Sequence, residues 1–416
     1  MSKHYLVRGA RQLLTLRGPS GPRRGPAMRE LGLVEDGAVL FSGGVIREVG
    51  PARRIENLAA ARTAEEIDAS GCVVMPGFVD SHTHLVCGPP RLAEYQQRLE
   101  GKSYQEITEA GGGILVSVRA VRTWTTRRLV NEAQSVVQAM ARCGTTTVEA
   151  KSGYGLDLPA ELKQLRATHS LDGSPLHVVP TCLAAHTVPP EFTGRPDDYI
   201  SYCREELLPE VARKGLARFA DIFCEEGHFT PTQAADYLAA ARRQGMELKM
   251  HAAQFRSVGA VQVGLRLGVT SLDHLEAATP RDVEQIGRSD TIATLLPGCA
   301  LHLGLGQFAP ARQLIGAGAA VALATNFNPG TSPVWNMQMV VSLACLQMRM
   351  TPAEAITAAT INGAYAVGLG HRCGSIESGK SADLLILKVG DYRELPYYFG
   401  DNHVRTTISR GAVLRE

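Results

Sequence analysis

Val79-Asp80-Ser81-His82-Thr83-His84-Leu85 follows an apolar run that begins at Cys72 and reads as a buried strand. Side chains on a strand alternate faces with period two, so His82 and His84 point to the same side. Two imidazoles on one face at a strand end can bind one divalent metal ion. Two polar residues where a strand leaves the core would have the same spacing. The distinction rests on whether the chain supplies further ligands.

Outward from this stretch, apolar β-branched runs alternate with helical periodicities. Eight runs are Val73–His84, Thr145–Lys151, His177–His186, Phe219–Glu225, Glu247–His251, Val269–His274, Thr291–Leu296 and Ala320–Asn326. Helical patterns between them include Arg128–Cys143, Pro159–His169, Asp197–Lys214, Thr230–Gln244 and Ala311–Gly316. Strands alternating with helices imply a parallel sheet, and eight such units predict an α/β fold of the (β/α)8 TIM-like barrel type. A doubly wound open sheet is the structural alternative, although no GxGxxG follows a strand. Both chain ends are β-rich instead. Ala38–Phe41 and Val45–Val49 flank a Ser42-Gly43-Gly44 turn, and Val404–Ser409 and Ala412–Leu414 flank Arg410-Gly411. A short Ala-rich helical piece is expected near Leu58 to Glu66. The ends are expected to pair into one small β-sandwich domain. The expected division is 1–72 and 366–416 for that composite domain and 73–365 for the barrel.

The chain of 416 residues is 44% hydrophobic and carries a net charge of +2, which gives no electrostatic case for nucleic acid or an anionic membrane. The basic cluster Arg17 to Arg24 is broken by Gly and Pro and reads as a solvated loop. Nine cysteines form no CxxC pair and sit in apolar runs, which predicts reduced, buried thiols and a cytoplasmic protein. The Met-Ser-Lys-His-Tyr-Leu-Val start lacks a signal-type segment, and no apolar run is long enough to span a bilayer.

In a barrel of this type, chemistry sits at the C-terminal ends of the strands. Those ends carry His82/His84, Lys151, His186, Glu225, His251, His274 and Asn326, and only the seventh, near Pro297, is apolar. Five of the 12 histidines fall on strand ends, which a random scatter would rarely give. His82, His84 and His251 can supply three imidazoles to one ion. Such a site keeps positions open for water and substrate, the setting of metal-assisted hydrolysis. Non-haem iron redox chemistry would want two His and a carboxylate. His186 and His274 are candidates for polarising a carbonyl or carrying a proton.

The combination of Pro76-Gly-Phe-Val-Asp80-Ser-His82-Thr-His84, His251, His274 and a polar end to the eighth strand resembles the amidohydrolase superfamily. Narrower stretches are Glu94 to Tyr104, Gly111 to Ile114, Glu149-Ala-Lys-Ser-Gly-Tyr154-Gly-Leu156, Asp221 to Glu225, Ala293 to Pro297 and Asn328-Pro-Gly-Thr-Ser-Pro333. Together they resemble the imidazolonepropionases, ring-opening enzymes of histidine degradation, from about residue 30 onward. The resemblance implies hydrolysis of 4-imidazolone-5-propanoate to N-formimidoyl-L-glutamate, with one Zn2+ or Fe3+ per subunit. It implies metal binding by His82, His84, His251 and residue 326. It implies substrate contacts from Arg91, Tyr154, His186, Gln254 and Thr331, product contacts from Asn328 and Gly330, and a homodimer. Arg is the preferred partner of a carboxylate such as the propanoate.

Two positions depart from the pattern. The family usually has Asp at the end of the eighth strand, as metal ligand and proton acceptor; here the residue is Asn326, whose amide oxygen can coordinate but cannot act as a base. Gln254 cannot be a base either. Both put more weight on His274 as catalytic group, oriented by Asp273 or Glu276, with His186 beside it. The alternatives are a ring deaminase of the same superfamily and a slow or silent ligand-binding homologue. Lys151 also leaves open a two-metal site bridged by a carbamylated lysine.

Overall fold

Gly77 divides the apolar run that leads to the histidine pair. Its N–H bonds to the Asp383 carbonyl, whereas the next residue, Phe78, bonds to the Gly144 carbonyl. A Cβ at Gly77 would lie 2.3 Å from Thr146 Oγ1, so the chain passes between two sheets where only glycine fits. The expected single strand Val73–His84 is therefore two strands in different sheets.

This arrangement comes from a computed structural model that describes residues 3–102, 106–107, 111–173 and 175–414. Ser103 and Tyr104 of the Glu94–Tyr104 stretch, and Met1-Ser2 of the start, lie outside the described residues. The first sheet holds β1 (His4–Leu14), β2 (Leu33–Ser42), β3 (Val45–Pro51), β4 (Glu65–Asp68) and β5 (Val73–Pro76) from the front of the chain. From the rear come β14 (Leu384–Leu387), β15 (Val404–Ser409) and β16 (Ala412–Leu414). Their order is β16-β15-β14-β5-β1-β2-β3, with β4 on β1, and the pairing is mostly antiparallel. Both chain ends thus meet in one sheet, as composition predicted, and both hairpins form around Gly43-Gly44 and Arg410-Gly411. Alternation along the strands buries Val7, Leu13, Val39, Phe41, Val74, Leu384, Ile386 and Ile408 together on one face. The Ala-rich piece near residue 58 is not a regular helix. It holds only a 3-10 turn, Ala61–Thr63, because Glu65–Asp68 pairs with β1 as a strand.

The second sheet is the barrel. Its strands are β6 (Phe78–Asp80), β7 (Thr145–Lys151), β8 (His177–Ala185), β9 (Phe219–Cys224), β10 (Glu247–Ala252), β11 (Ser271–His274), β12 (Ile292–Leu295) and β13 (Ala320–Leu323). All are parallel and neighbours in chain order. β6 and β13 share no ladder. The ring is joined just beyond their ends, where Asn326 N–H donates to His82 O at 3.0 Å and His84 N–H to Phe327 O at 2.8 Å. Asp80 adds to this seam by accepting from Thr325 N at 3.0 Å and Thr325 Oγ1 at 2.6 Å. Burial pushes the Asp80 carboxyl up to about 7 against those hydrogen bonds.

Helices Thr126–Arg142, Leu158–Leu171, Pro231–Arg243 and Ala311–Gly316 lie where periodicity placed them. Asp197–Lys214 is instead three pieces, with a π-turn at Cys203–Leu207 ahead of Pro209, whose missing N–H favours a break in the ladder. The Arg17–Arg24 segment is a solvated loop only over Arg17–Ser20. Arg23 is buried and donates to the carbonyls of Leu16, Pro19 and Gly21, and Arg24 donates to those of Gly287 and Gly318. The Arg23 guanidinium thus folds the N-terminal segment onto itself, and that of Arg24 ties it to the barrel. Nearby, Glu354 caps helix Pro352–Thr357 together with Thr351 and also accepts from Arg29 and Arg312, each at 2.9 Å.

All nine cysteines are free, and seven are buried. Among the described residues no helix is long and apolar enough to cross a membrane.

Candidate active site

His82 and His84 sit two and four residues past the end of β6, beyond the strand itself. They still share a side, with ring centroids 5.5 Å apart. The ring of His251, near the end of β10, lies 4.5 Å from that of His82 and 5.7 Å from that of His84. His274 ends β11, its ring 5.4 Å from that of His251 and 5.7 Å from that of His82. Ligand atoms of His82, His251 and His274 all lie within 4.8 Å of one another. His84 sits beside this trio and stacks on His186, 5.0 Å away and 13° from parallel.

Each ring is aimed by what its other nitrogen holds. His82 Nδ1 is 2.6 Å from Asp273 Oδ2, and His251 Nδ1 is 3.1 Å from Asp221 Oδ1. That leaves Nε2 of both buried without a partner, together with Asn326 Oδ1. Two bare imidazole nitrogens and a bare amide oxygen in one buried place fit a bound cation. Burial, with Lys151 and the other histidines adding to it, holds His82 and His251 well below the usual imidazole range. They are neutral, the form that ligates.

The two aiming carboxylates belong to a buried ionic layer. Lys151 Nζ lies 2.7 Å from Glu149, 2.8 Å from Asp221 and 3.6 Å from Asp273, and Lys249 Nζ lies 3.7 Å from Asp273. All five side chains are fully buried. Burial opposes the Lys151 charge, but Asp221 and Glu149 outweigh it and raise the lysine further. Lys151 thus sits as a cation among these carboxylates. Asp273 faces His82, so of the two carboxylates expected to orient His274 only Glu276 is near it, 3.4 Å from Nδ1.

A narrow cavity of about 80 Å3 lies in front of these groups. His84, Arg91, Tyr154, His186, His251, Gln254, His274, Asn326, Asn328 and Thr331 line it, so nearly every predicted site residue converges. His82 lies fully buried behind them, and Gly330 borders Arg91. Lys151 and Glu225 do not line it. Glu225 accepts instead from the N–H groups of Phe255 and Arg256, fixing the loop after β10. Backbone with positive φ clusters on the rim: Ala253 (51°), His274 (87°), Leu275 (72°) and Asn326 (53°). Such strain persists where surrounding contacts impose it.

The loop after β7 explains its own sequence. Gly153 has φ +100°, and a Cβ there would lie 2.5 Å from the Leu183 carbonyl. The buried Glu161 carboxylate accepts from Gly153, Gly155 and Leu156 N–H, and Gln164 accepts from Tyr154 N–H. These bonds bring the Tyr154 ring to 5.3 Å from His186, whose Nδ1 bonds to the Gly153 carbonyl at 3.1 Å. Burial lowers His186 to about 4, so it is neutral at physiological pH.

Arg91 pairs with Glu94 through Nε at 2.8 Å and through Nη2. Asn328 organises its own turn: Oδ1 accepts from Gly330 N at 2.9 Å and Thr331 N at 2.7 Å, and Nδ2 donates to Asn326 O at 2.8 Å. Gln254 Nε2 lies 3.5 Å from Cys299 Sγ, a thiol pushed by burial up to about 12. Cys299 is the contribution of the seventh strand end, two residues past the Pro297 where sequence reasoning stopped. His228, Asp221 as a partner of His251, Glu161 and Lys249 were also missed. Asp221 lay inside a motif stretch, Lys249 inside a strand run and Glu161 inside a helical pattern, but nothing in local spacing marks their roles.

The pattern of the amidohydrolase family matches residues 73–414. An imidazolonepropionase of Chloroflexus aggregans is 46% identical over 98% of this chain and 98% of its own. Those of Geobacillus kaustophilus and Alkaliphilus metalliredigens are 45% and 40% identical, over 98% and 100% of this chain and 97% and 98% of theirs. Among solved structures, an adenosine deaminase from Xanthomonas campestris with bound zinc superposes with a TM-score of 0.66 at 19% identity, over 99% of this chain and 92% of its own. An amidohydrolase from a Sargasso Sea sample gives 0.69 at 18%, with the same coverages. At those identities the structures show the shared fold. With the family pattern spanning barrel and rear sheet strands, and relatives this similar end to end, the chain belongs to the amidohydrolase family, among the imidazolonepropionases.

Proposed function

We propose that the chain hydrolyses the cyclic amide of 4-imidazolone-5-propanoate to N-formimidoyl-L-glutamate, a step of histidine degradation. The observation that carries this reading is the convergence of bare imidazole nitrogens and an arginine on one cavity. Family membership supports it. One Zn2+ or Fe3+ per subunit would be held by His82, His84 and His251, with the amide oxygen of Asn326. When bound, the ion supplies Lewis acidity to the scissile amide.

The remaining work falls to the chain's own side chains. Arg91 holds the propanoate, and Glu94 keeps the guanidinium turned toward the cavity until substrate arrives. Tyr154 and neutral His186 hydrogen-bond the ring, with Gln254 and Thr331 on the opposite wall. Asn328 and Gly330 receive the product. His274, backed by Glu276, takes the proton from the attacking water and returns it to the leaving nitrogen. We place the enzyme in the cytoplasm as a homodimer, with a composite end domain (1–72 and 366–416) around the barrel (73–365).

Asn326 favours a second reading, a slow or silent binding homologue, because the amide accepts no proton. The deciding experiment is metal analysis of the purified protein, followed by loss of imidazolone absorbance after urocanase acts on urocanate. Enzyme-dependent loss is expected. Decay of that absorbance at the uncatalysed rate with metal-loaded protein would overturn the reading.

A further inference from the structure

Helix Leu92–Leu99 follows Arg91 directly, yet none of its residues is buried, and Leu92 and Leu99 are each 71% exposed. Apolar packing therefore does not place it. Polar contacts at its two ends do, and both involve Gly330.

At the front end, the Arg91 guanidinium lies against Gly330, where an added Cβ would sit 2.3 Å from Nη1. At the rear end, half-buried Arg98 donates from Nη1 to the Gly330 carbonyl at 2.8 Å and from Nη2 to His302 Nε2 at 2.6 Å. Tyr95, on the same helix, stacks on His302 with centroids 5.4 Å apart and planes 11° apart. Among the described residues no carboxylate lies within ion-pairing distance of Arg98. Its charge is directed to a backbone carbonyl and a neutral imidazole. His302 is lowered to about 4 by burial and by Arg98, so its Nε2 is an acceptor throughout the working pH range.

We propose that Arg98 is a positioning residue for recognition of the substrate carboxylate. It fastens the helix that carries Arg91 to the Asn328–Thr331 turn, so that the arginine and the turn meet substrate as one unit. This rests on the functional reading above. The reasoning is geometric. One glycine is held between two arginines seven residues apart, one capping the helix and one on it, which fixes both the helix and the turn. Charge-assisted hydrogen bonds to a backbone carbonyl are among the stronger tethers available on a half-exposed surface. Gly330 itself carries no side chain to do this.

A residue acting through Arg91 should lose its effect when Arg91 is gone. The test is a double-mutant cycle of Arg98→Met and Arg91→Met, with Arg98→Gln as a second truncation and Arg98→Lys as the conservative variant. Arg98→Met should raise KM roughly 10-fold or more while kcat stays within about 3-fold, the mark of lost ground-state binding. In the Arg91→Met background the same substitution should add less than about 2-fold, because coupled residues are non-additive. Arg98→Lys should restore part of the loss. Calorimetric binding of glutarate, a bare dicarboxylate, to the metal-loaded protein gives the same cycle without turnover. If the wild type binds glutarate but does not consume the imidazolone, the functional reading fails while the positioning role is still measured. Equal effects of Arg98→Met and Arg98→Gln with and without Arg91, or a change in melting temperature alone, would overturn the proposal.

Discussion

His82 Nδ1 lies 2.6 Å from Asp273 Oδ2, and both side chains are fully buried. The ring that the opening motif supplies is therefore aimed by a strand 191 residues further along the chain. Asp273→Asn keeps the shape but weakens that bond and leaves Lys249 less well matched. Metal affinity should fall by roughly 10–100-fold, the usual consequence of losing such an outer partner. Chelator competition measures it, and unchanged affinity would show that His82 is not a ligand.

Asn326 presents a buried amide oxygen with no hydrogen-bond donor, on backbone with φ +53°. Asn326→Asp supplies a carboxylate at the same place. If the amide is a weakened form of the family ligand, kcat should rise by up to ~100-fold, the scale of one added proton acceptor. A fall would show a site rebuilt around the amide.

His274→Ala removes the proposed proton carrier. Turnover should drop by ~1000-fold, within the range for loss of a general base. The metal content should be retained, since His82, His84 and His251 stay in place. Near-native rates would exclude His274 from the proton transfer, and loss of the metal would make it a ligand.

Gly330→Ala places a methyl group where the Arg91 guanidinium now lies, 2.3 Å from Nη1. The arginine must shift, so KM should rise about 10-fold with kcat little changed, as for lost uniform binding. Steady-state kinetics on the imidazolone decides it.

Glu354 gives a stability prediction with a defined sign. Burial opposes its charge, but hydrogen bonds from Arg312, Thr351 N–H and Arg29 outweigh this and lower it to about 2. A carboxylate lowered in the folded state stabilises above its unfolded value, near 4.5, and that stability is lost as pH falls toward 2. Glu354→Gln should cost about 2–3 kcal/mol at pH 7, from urea melts, and the difference should shrink between pH 4.5 and 2. A difference independent of pH would mean that the effect is packing.

The barrel was legible because each strand carries its own apolar run, and alternation with helical periods is a local property. Parallel pairing then follows from chain order. The rim was legible for the same reason: a strand's last polar residue can be read without knowing its neighbours. Gly77 was not, because its strictness comes from Thr146 on another strand. Neither was the Lys151–Glu149–Asp221–Asp273–Lys249 layer, whose members face one another only once the ring is formed. Arg23 was misread for a related reason: a guanidinium can be buried on backbone carbonyls, which no side-chain pattern announces.

The missing ladder between β6 and β13 has a consequence for how the protein can be monitored. The amide protons of His84 and Asn326 bridge the two staves that, among the described residues, share no ladder, and both belong to residues that would surround a bound cation. Their solvent exchange should slow on metal loading, while those in the middle of β8 and β9 do not change. Two backbone amides would then serve as an internal gauge of occupancy, readable by isotope exchange with no substrate added.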